Sequence, residues 1–378
     1  MLLTMVQVFY LNLPIAGVAL ALIVAFLHVN HNKTETFKEK AKRIDYVGNI
    51  ILITGIVSVL LALSWGGTKY SWSSYQILVP LILGMFGMVL FHAWEATPWC
   101  VEPTIPPHIF SNRTTTTALV LAFIHNMLTF WMLYFLPVYF QAVLGSSSTI
   151  SGVQLLPTAA LSVPMGIVTG VIITKTGRYR PIHFVAFALM TIGLGLFTIL
   201  DKDSSAAEWV IFQMIAAVGM GLLLTGTLPA VQVELAEKDV GAATASYAFM
   251  RSYGAIWGIS IPAAIFNSQF SANLYKIADP AVRQQLSGGE AYSSVTNTLI
   301  NAFPPQIKAQ VIGVYTESLK TVWQVALGFA ALSFLLVFIE KEVKMRKTLE
   351  TEYGIKDDKK KEKELEEDAA HEKASVAV

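Results

Sequence analysis

Residues 118–141 read ALVLAFIHNMLTFWMLYFLPVYFQ, twenty-four residues without one lysine, arginine, aspartate or glutamate. At 1.5 Å of rise per residue such a run makes a helix of roughly 36 Å, and crossing bilayer hydrocarbon takes about 30 Å. Eight more apolar runs, each with at most one charged residue, lie at about 8–28, 45–64, 75–95, 151–174, 182–200, 207–229, 242–266 and 318–339. The pattern predicts an all-α polytopic membrane protein with about nine transmembrane helices.

Composition agrees. Of 378 residues, 54% are hydrophobic and 14% charged, against about 25% charged in a soluble domain. Residues 340–378 hold 22 of the 53 charges, so the preceding 339 residues share only 31. Polar surface that sparse cannot cover a core that apolar in water. A water-soluble enzyme, a nucleic-acid binder and a disordered chain are thereby excluded. The net charge of +1 recruits no acidic partner. Cys100 is the single cysteine, which excludes an intrachain disulfide framework and a cysteine-based zinc site. No HExxH, GxSxG or Walker motif occurs, and the seven histidines have no metal spacing. No catalytic residue, cofactor or metal is therefore expected, nor is ATP as the direct energy source.

Loop charge orients the spans. The segments 29–44, 96–117, 175–181, 230–241 and the start of the tail from 340 carry 14 Lys/Arg, among them Lys38, Arg113, Lys175, Arg178 and Lys341. The opposite segments carry six: Lys69, Lys202, Lys276, Arg283, Lys308 and Lys320. Lys/Arg excess marks the cytoplasmic side, so the N-terminus is expected outside and the C-terminus in the cytoplasm. The first span is not read as a signal peptide, because residues 1–27 have no charge before the apolar run. Residues 341–378, dense in Lys and Glu, predict a disordered cytoplasmic tail. The outward loop of about 267–317 contains Asp279-Pro280, Gly288-Gly289 and Pro304-Pro305, and a helix is expected to start after Pro305.

Within the spans, glycines four apart, such as Gly166/Gly170 and Gly254/Gly258, suit close backbone packing. Polar groups in hydrocarbon normally face the bundle interior or water. Asn126, Phe130, Tyr134, Pro137 and Gln141 fall at helical spacing on one face and read as a polar-aromatic cavity wall or as interhelical hydrogen bonds. His125, Gln154, Gln213, Tyr247 and Arg251 complete the candidate set. Arg251 is either an inward binding or coupling group or a cation that snorkels to the interface. His125 is a candidate proton carrier, because imidazole titrates near neutrality.

Several stretches in order carry a resemblance. FYLNLPIAG (9–17), LALSWGGTKYSWSS (61–74), EPTIPPHIFSNRT (102–114), FLPVYFQAVLGSSSTISGVQLLP (135–157) and MRSYGAIWGISIPAAIF (250–266) together resemble the fungal major facilitator superfamily, in its 14-span drug:proton antiporter branch. The resemblance implies the C-terminal six-helix half of that fold plus preceding helices. Residues 1–29 would then be the last helix of the N-terminal half, 30–113 two extra central helices with cytoplasmic loops, and 114–340 the C-terminal six-helix bundle. The first five helices of the family would be missing from this chain. ITKTGRYRP (173–181) is similar to the degenerate C-terminal copy of the family's loop motif and lacks its acidic residue.

The implied function is secondary active, proton-coupled efflux of hydrophobic small molecules such as drugs or fungal toxins. Its partners would be the substrate, protons, the lipid bilayer and a missing N-terminal half, with no nucleic acid. The plasma membrane is the expected location and the vacuolar membrane the alternative. Two other readings stay open. One is a multipass lipid- or isoprenoid-modifying enzyme, for which Asp45, His92, Glu95 and Glu234 are widely dispersed. The other is a transport-dead fragment.

Overall fold

A computed structural model of the chain describes residues 2–26, 44–100, 102–236, 239–293 and 297–343. The tail beyond 343 and the loop with Asn32 and Lys38 lie outside them. The described residues fall into two units, 2–26 and 44–343, each taken by itself. In the first, α1 runs Leu2–Phe26.

The second unit holds every other described helix. An antiparallel pair, α2 (Tyr46–Trp65) and α3 (Tyr75–Glu95), leads into α4 (Arg113–Val138), which ends in a π-turn over Tyr139–Val143. Next come short α5 (Ser148–Gln154), then α6 (Leu156–Thr176), α7 (Arg180–Leu196), α8 (Ala206–Gln232) and α9 (Val240–Asn273). Three short helices, α10 (Pro280–Gln285), α11 (Glu290–Ser293) and α12 (Asn297–Ala302), precede α13 (Pro305–Leu336). Each of the nine runs is met by helix within the described residues, with 151–174 divided between α5 and α6. Among the described residues seven helices are long and apolar enough to cross a membrane, and the apolar part of α1, Asn12–Phe26, is shorter. The long α9 is not one of the seven, because Tyr247, Arg251, Ser252 and Ser260 dilute its hydropathy.

Local chemistry sets the helix ends. Asp45 caps α2 by accepting from the Gly48 amide at 2.8 Å, and Asn112 caps α4 by accepting from the Thr115 amide at 2.7 Å. Ser205 and Glu208 form a reciprocal capping box at the start of α8. Gly177, at φ +68°, ends α6 in the left-handed conformation that glycine adopts without penalty. Pro305 at the first turn starts α13 where its missing N–H costs nothing.

Six long helices make one bundle. α4 touches α8, α9 and α13, while α8 also packs on α6 and α7. Small residues permit the closest crossings. Gly254 and Gly258 of α9 lie on the Phe123 and Met127 carbonyls of α4, and Gly219 of α8 lies on α7 at Ala186 and Met190. Gly170 of α6, by contrast, faces open space. At one end an aromatic cluster of Phe135, Phe266, Phe270, Tyr292 and Tyr315 fills the core. At the Lys/Arg-rich end His183 and Glu340 meet at 2.8 Å, both fully buried. Beside them the Tyr179 hydroxyl donates to the Lys341 carbonyl, and Arg180 donates to the Phe338 carbonyl at 3.1 Å. The chain leaving α13 is thus fastened to α7.

The α2–α3 pair is tightly packed on itself, with Gly55 against Gly84 and Gly87. It meets the bundle at α9, where the Tyr253 hydroxyl donates to the Met88 sulfur at 2.8 Å. Large apolar side chains on α2, α3 and α6, including Ile53, Phe86 and Ile167, are exposed. That surface is built for hydrocarbon.

Candidate functional site

The bundle encloses a partly open cavity of about 360 Å³ bordered by α4, the α5–α6 break, α8 and α9. The break follows from local sequence. Leu155 separates the two helices, and Pro157 in the first turn of α6 cannot donate the amide that would fuse them. His125, Thr129 and Leu133 present one face of α4 to the cavity, with Met220 of α8 and Arg251 of α9 across from it. Leu156, Ala159 and Val163 of α6 supply much of the apolar wall.

Arg251 is held by neutral partners. One guanidinium nitrogen donates to the Tyr247 hydroxyl at 3.3 Å, and another donates to the Asn126 carbonyl oxygen at 3.4 Å. The cation sits 5.6 Å from the Tyr247 ring centre, a favourable arrangement over an aromatic face. The Asn126 amide donates to the Arg251 backbone carbonyl at 2.6 Å, which locks α4 to α9 at this level. Tyr247 is positioned in turn by Thr227, whose hydroxyl lies 2.9 Å from its own. His125 places Nε2 3.1 Å from the Met220 carbonyl, so that nitrogen carries the hydrogen, while buried Nδ1 has no partner.

The other candidates have different surroundings. The stripe Asn126, Phe130, Tyr134, Pro137 and Gln141 does not border this cavity; the stripe one residue earlier does. Phe130 and Tyr134 stack at 6.3 Å on a flank of α4 where Tyr134 is 45% exposed. Gln141 falls within the π-turn, which carries it out of register, and accepts from the Ser148 hydroxyl at 3.1 Å. Gln213 is fully buried, accepting from Thr158 at 3.1 Å and donating to the Trp209 carbonyl at 3.2 Å, so it ties α8 to α6. Gln154 lies beside the break with a buried, unpartnered Oε1. Thr129 and Leu133 are not among the residues singled out from the sequence; they follow His125 at successive intervals of four, which was the available signal.

The dispersed acidic residues have structural duties. Glu95 accepts from the Ile105 amide at 2.9 Å, and Asp45 accepts from the Trp94 indole at 3.0 Å besides capping α2. Among the described residues no three His, Cys, Asp or Glu side chains gather where they could hold a metal. Cys100, in the loop after α3, has its thiol pushed up to about 11 by burial and by the nearby Asp45 carboxylate, which makes it a poor nucleophile.

Comparison with known proteins adds a further finding. Residues 2–259 match the sequence pattern of the Major Facilitator Superfamily. The chain is 48% identical over 363 residues to the MFS-type efflux pump LUC4 of Fusarium sp, covering 95% of this chain and 64% of that protein. It is 47% identical over 354 residues to the efflux pump FUS6 of Gibberella fujikuroi, covering 93% and 64%. It is 48% identical over 348 residues to the MFS efflux transporter aclA of Aspergillus oryzae, covering 92% and 63%. The chain therefore spans about 64% of the length of the first of these relatives.

Proposed function

The chain belongs to the Major Facilitator Superfamily, and from that premise we propose that it supplies the C-terminal half of a secondary, proton-coupled exporter of hydrophobic small molecules. Its relatives named efflux pumps are longer, so helices beyond this chain would form the opposite cavity wall. We read α2 and α3 as the two extra helices of the 14-span branch. Alternating access in this superfamily rocks one half against the other around a site near the bilayer midplane. The observation that carries the reading is the apolar cavity with one cation on its wall, about 12 residues into both α4 and α9, hence roughly 17 Å from their N-terminal ends. The enzyme reading loses its residues, since Asp45 and Glu95 are occupied by caps and loop amides.

The test is export of a hydrophobic fluorescent dye from yeast lacking its own pumps. The full-length product of the gene is expected to lower dye accumulation, and Ala159→Trp, which fills the cavity, is expected to restore it. Accumulation equal to the empty vector in every case would make the protein transport-dead.

Orientation is tested separately. With the N-terminus outside and the C-terminus in the cytoplasm of a plasma-membrane protein, the sequons at Asn32 and Asn112 face the cytosol and stay unmodified. Asn32 lies outside the described residues; Asn112 caps α4. A glycosidase-sensitive mass shift that disappears in Asn112→Gln would invert the topology.

A further inference from the structure

We infer that the cavity is built for hydrophobic acids, molecules with an apolar body and one carboxylate or other organic oxyanion that docks on Arg251. This deepens the reading above and rests on it. An arginine guanidinium stays charged in proteins, and an ionised group at this depth is costly unless something compensates it.

Nothing on the described chain does so. Arg251 makes no ion pair, and the cavity border contains no Asp or Glu. Glu340 and Asp239, at the Lys/Arg-rich end of the bundle, are engaged elsewhere, on His183 and His108. Of the five N–H donors of an arginine, two reach protein acceptors, both neutral and both beyond 3.2 Å. The Asn126 and Tyr247 contacts fix where the fork sits without cancelling its charge. His125 commits Nε2 to a backbone carbonyl and buries Nδ1, and among the described residues that border the cavity Arg251 is the one Lys, Arg, Asp or Glu. Walls of leucine, valine and alanine suit the rest of the ligand, and a volume of about 360 Å³ lies within the ~300–1,000 Å³ of small-molecule pockets. An oxyanion would receive charge-assisted, bidentate hydrogen bonds from the planar fork.

Two dyes with one ring body separate charge from hydrophobicity: 8-anilinonaphthalene-1-sulfonate and its uncharged counterpart N-phenyl-1-naphthylamine. Both are titrated into the purified 378-residue chain in phosphatidylcholine nanodiscs. Arg251→Gln is expected to weaken the sulfonate about tenfold, the loss of a charge-assisted hydrogen-bond pair, and to leave the neutral dye unchanged. Ala159→Trp is expected to remove both dyes. If Ala159→Trp spares both, the cavity reading itself fails. If it removes both while Arg251→Gln leaves the sulfonate unchanged, only the preference for acids fails. Should Arg251→Gln not survive purification, the parent decides: sulfonate binding at least about tenfold tighter than the neutral dye upholds the inference, and equal binding overturns it. Adding phosphatidylglycerol tells an exported acid from an anionic lipid. Unchanged sulfonate binding supports the former, and displacement would reassign the site to lipid.

Discussion

Replacing Gly254 and Gly258 together with leucine should leave almost no monodisperse protein, while leucine at Gly170 should leave the yield near that of the parent. Gly254 and Gly258 are set against the Phe123 and Met127 carbonyls of α4, and backbone cannot rotate away as a side chain can. Overpacking costs about 1–3 kcal/mol per site even where neighbours yield. Two sites without that freedom reach on the order of 6 kcal/mol, comparable with the whole stability of many folded domains. Gly170 belongs to a glycine pair with the same spacing, but nothing lies within 4 Å of the position its Cβ would take. Size-exclusion profiles of fluorescently tagged variants report the outcome. Loss of the monodisperse peak in all variants alike, or in none, would refute the assignment of the α4–α9 crossing.

A second large effect is expected at the Lys/Arg-rich end of the bundle. Glu340→Ala removes one partner of a fully buried 2.8 Å pair, leaving the His183 imidazole without an acceptor. Leaving a buried hydrogen-bonding group without its partner costs about 1–3 kcal/mol, more where a charge is involved, and replacing both members by apolar residues is much less harmful. Thermal unfolding followed by tryptophan fluorescence should therefore show Tm lower by about 5 °C or more for Glu340→Ala. Changing both His183 and Glu340 to leucine should recover part of that loss. Arg178→Ala is the control: its 3.8 Å contact with Glu342 is exposed, and such pairs are worth less than about 1 kcal/mol. A Glu340→Ala protein melting together with Arg178→Ala would show that the pair does not fasten the end of α13.

The membrane helices were legible because hydrocarbon imposes a length and forbids charge, and both constraints are visible in a single strand of letters. Of their ends, the start of α13 at Pro305 was read from its breaker; the caps at Asp45, Asn112 and Gly177 went unread, because a capping residue looks like any other loop residue until its partner is placed. Rotation about the helix axis was not legible either. Residues at spacing four drift round an α-helix, so the stripes beginning at His125 and at Asn126 look alike in sequence, and only the former borders the cavity. The π-turn at 139–143 then shifts Gln141 out of either series. Glycine spacing likewise identified pairs able to pack closely without saying which have a partner. The His183–Glu340 pair was invisible for another reason: 157 residues separate its members, and glutamate at the edge of a charged tail carries no local sign of burial.

The α4–α9 crossing also sets a timetable for synthesis. Asn126 and the Arg251 carbonyl it binds are 125 residues apart, an interval of roughly 6–25 s at 5–20 residues per second. Through that interval α4 is already made while its main companion is not, and the amide of Asn126 has no acceptor on α9. The α2–α3 hairpin waits far less, since its helices are joined by residues 66–74 alone and meet as soon as both emerge. Until α9 arrives, the Asn126 amide must therefore find another acceptor. A ribosome slowed between codons 145 and 240 would prolong the stage at which quality control can recognise the nascent chain as unfinished.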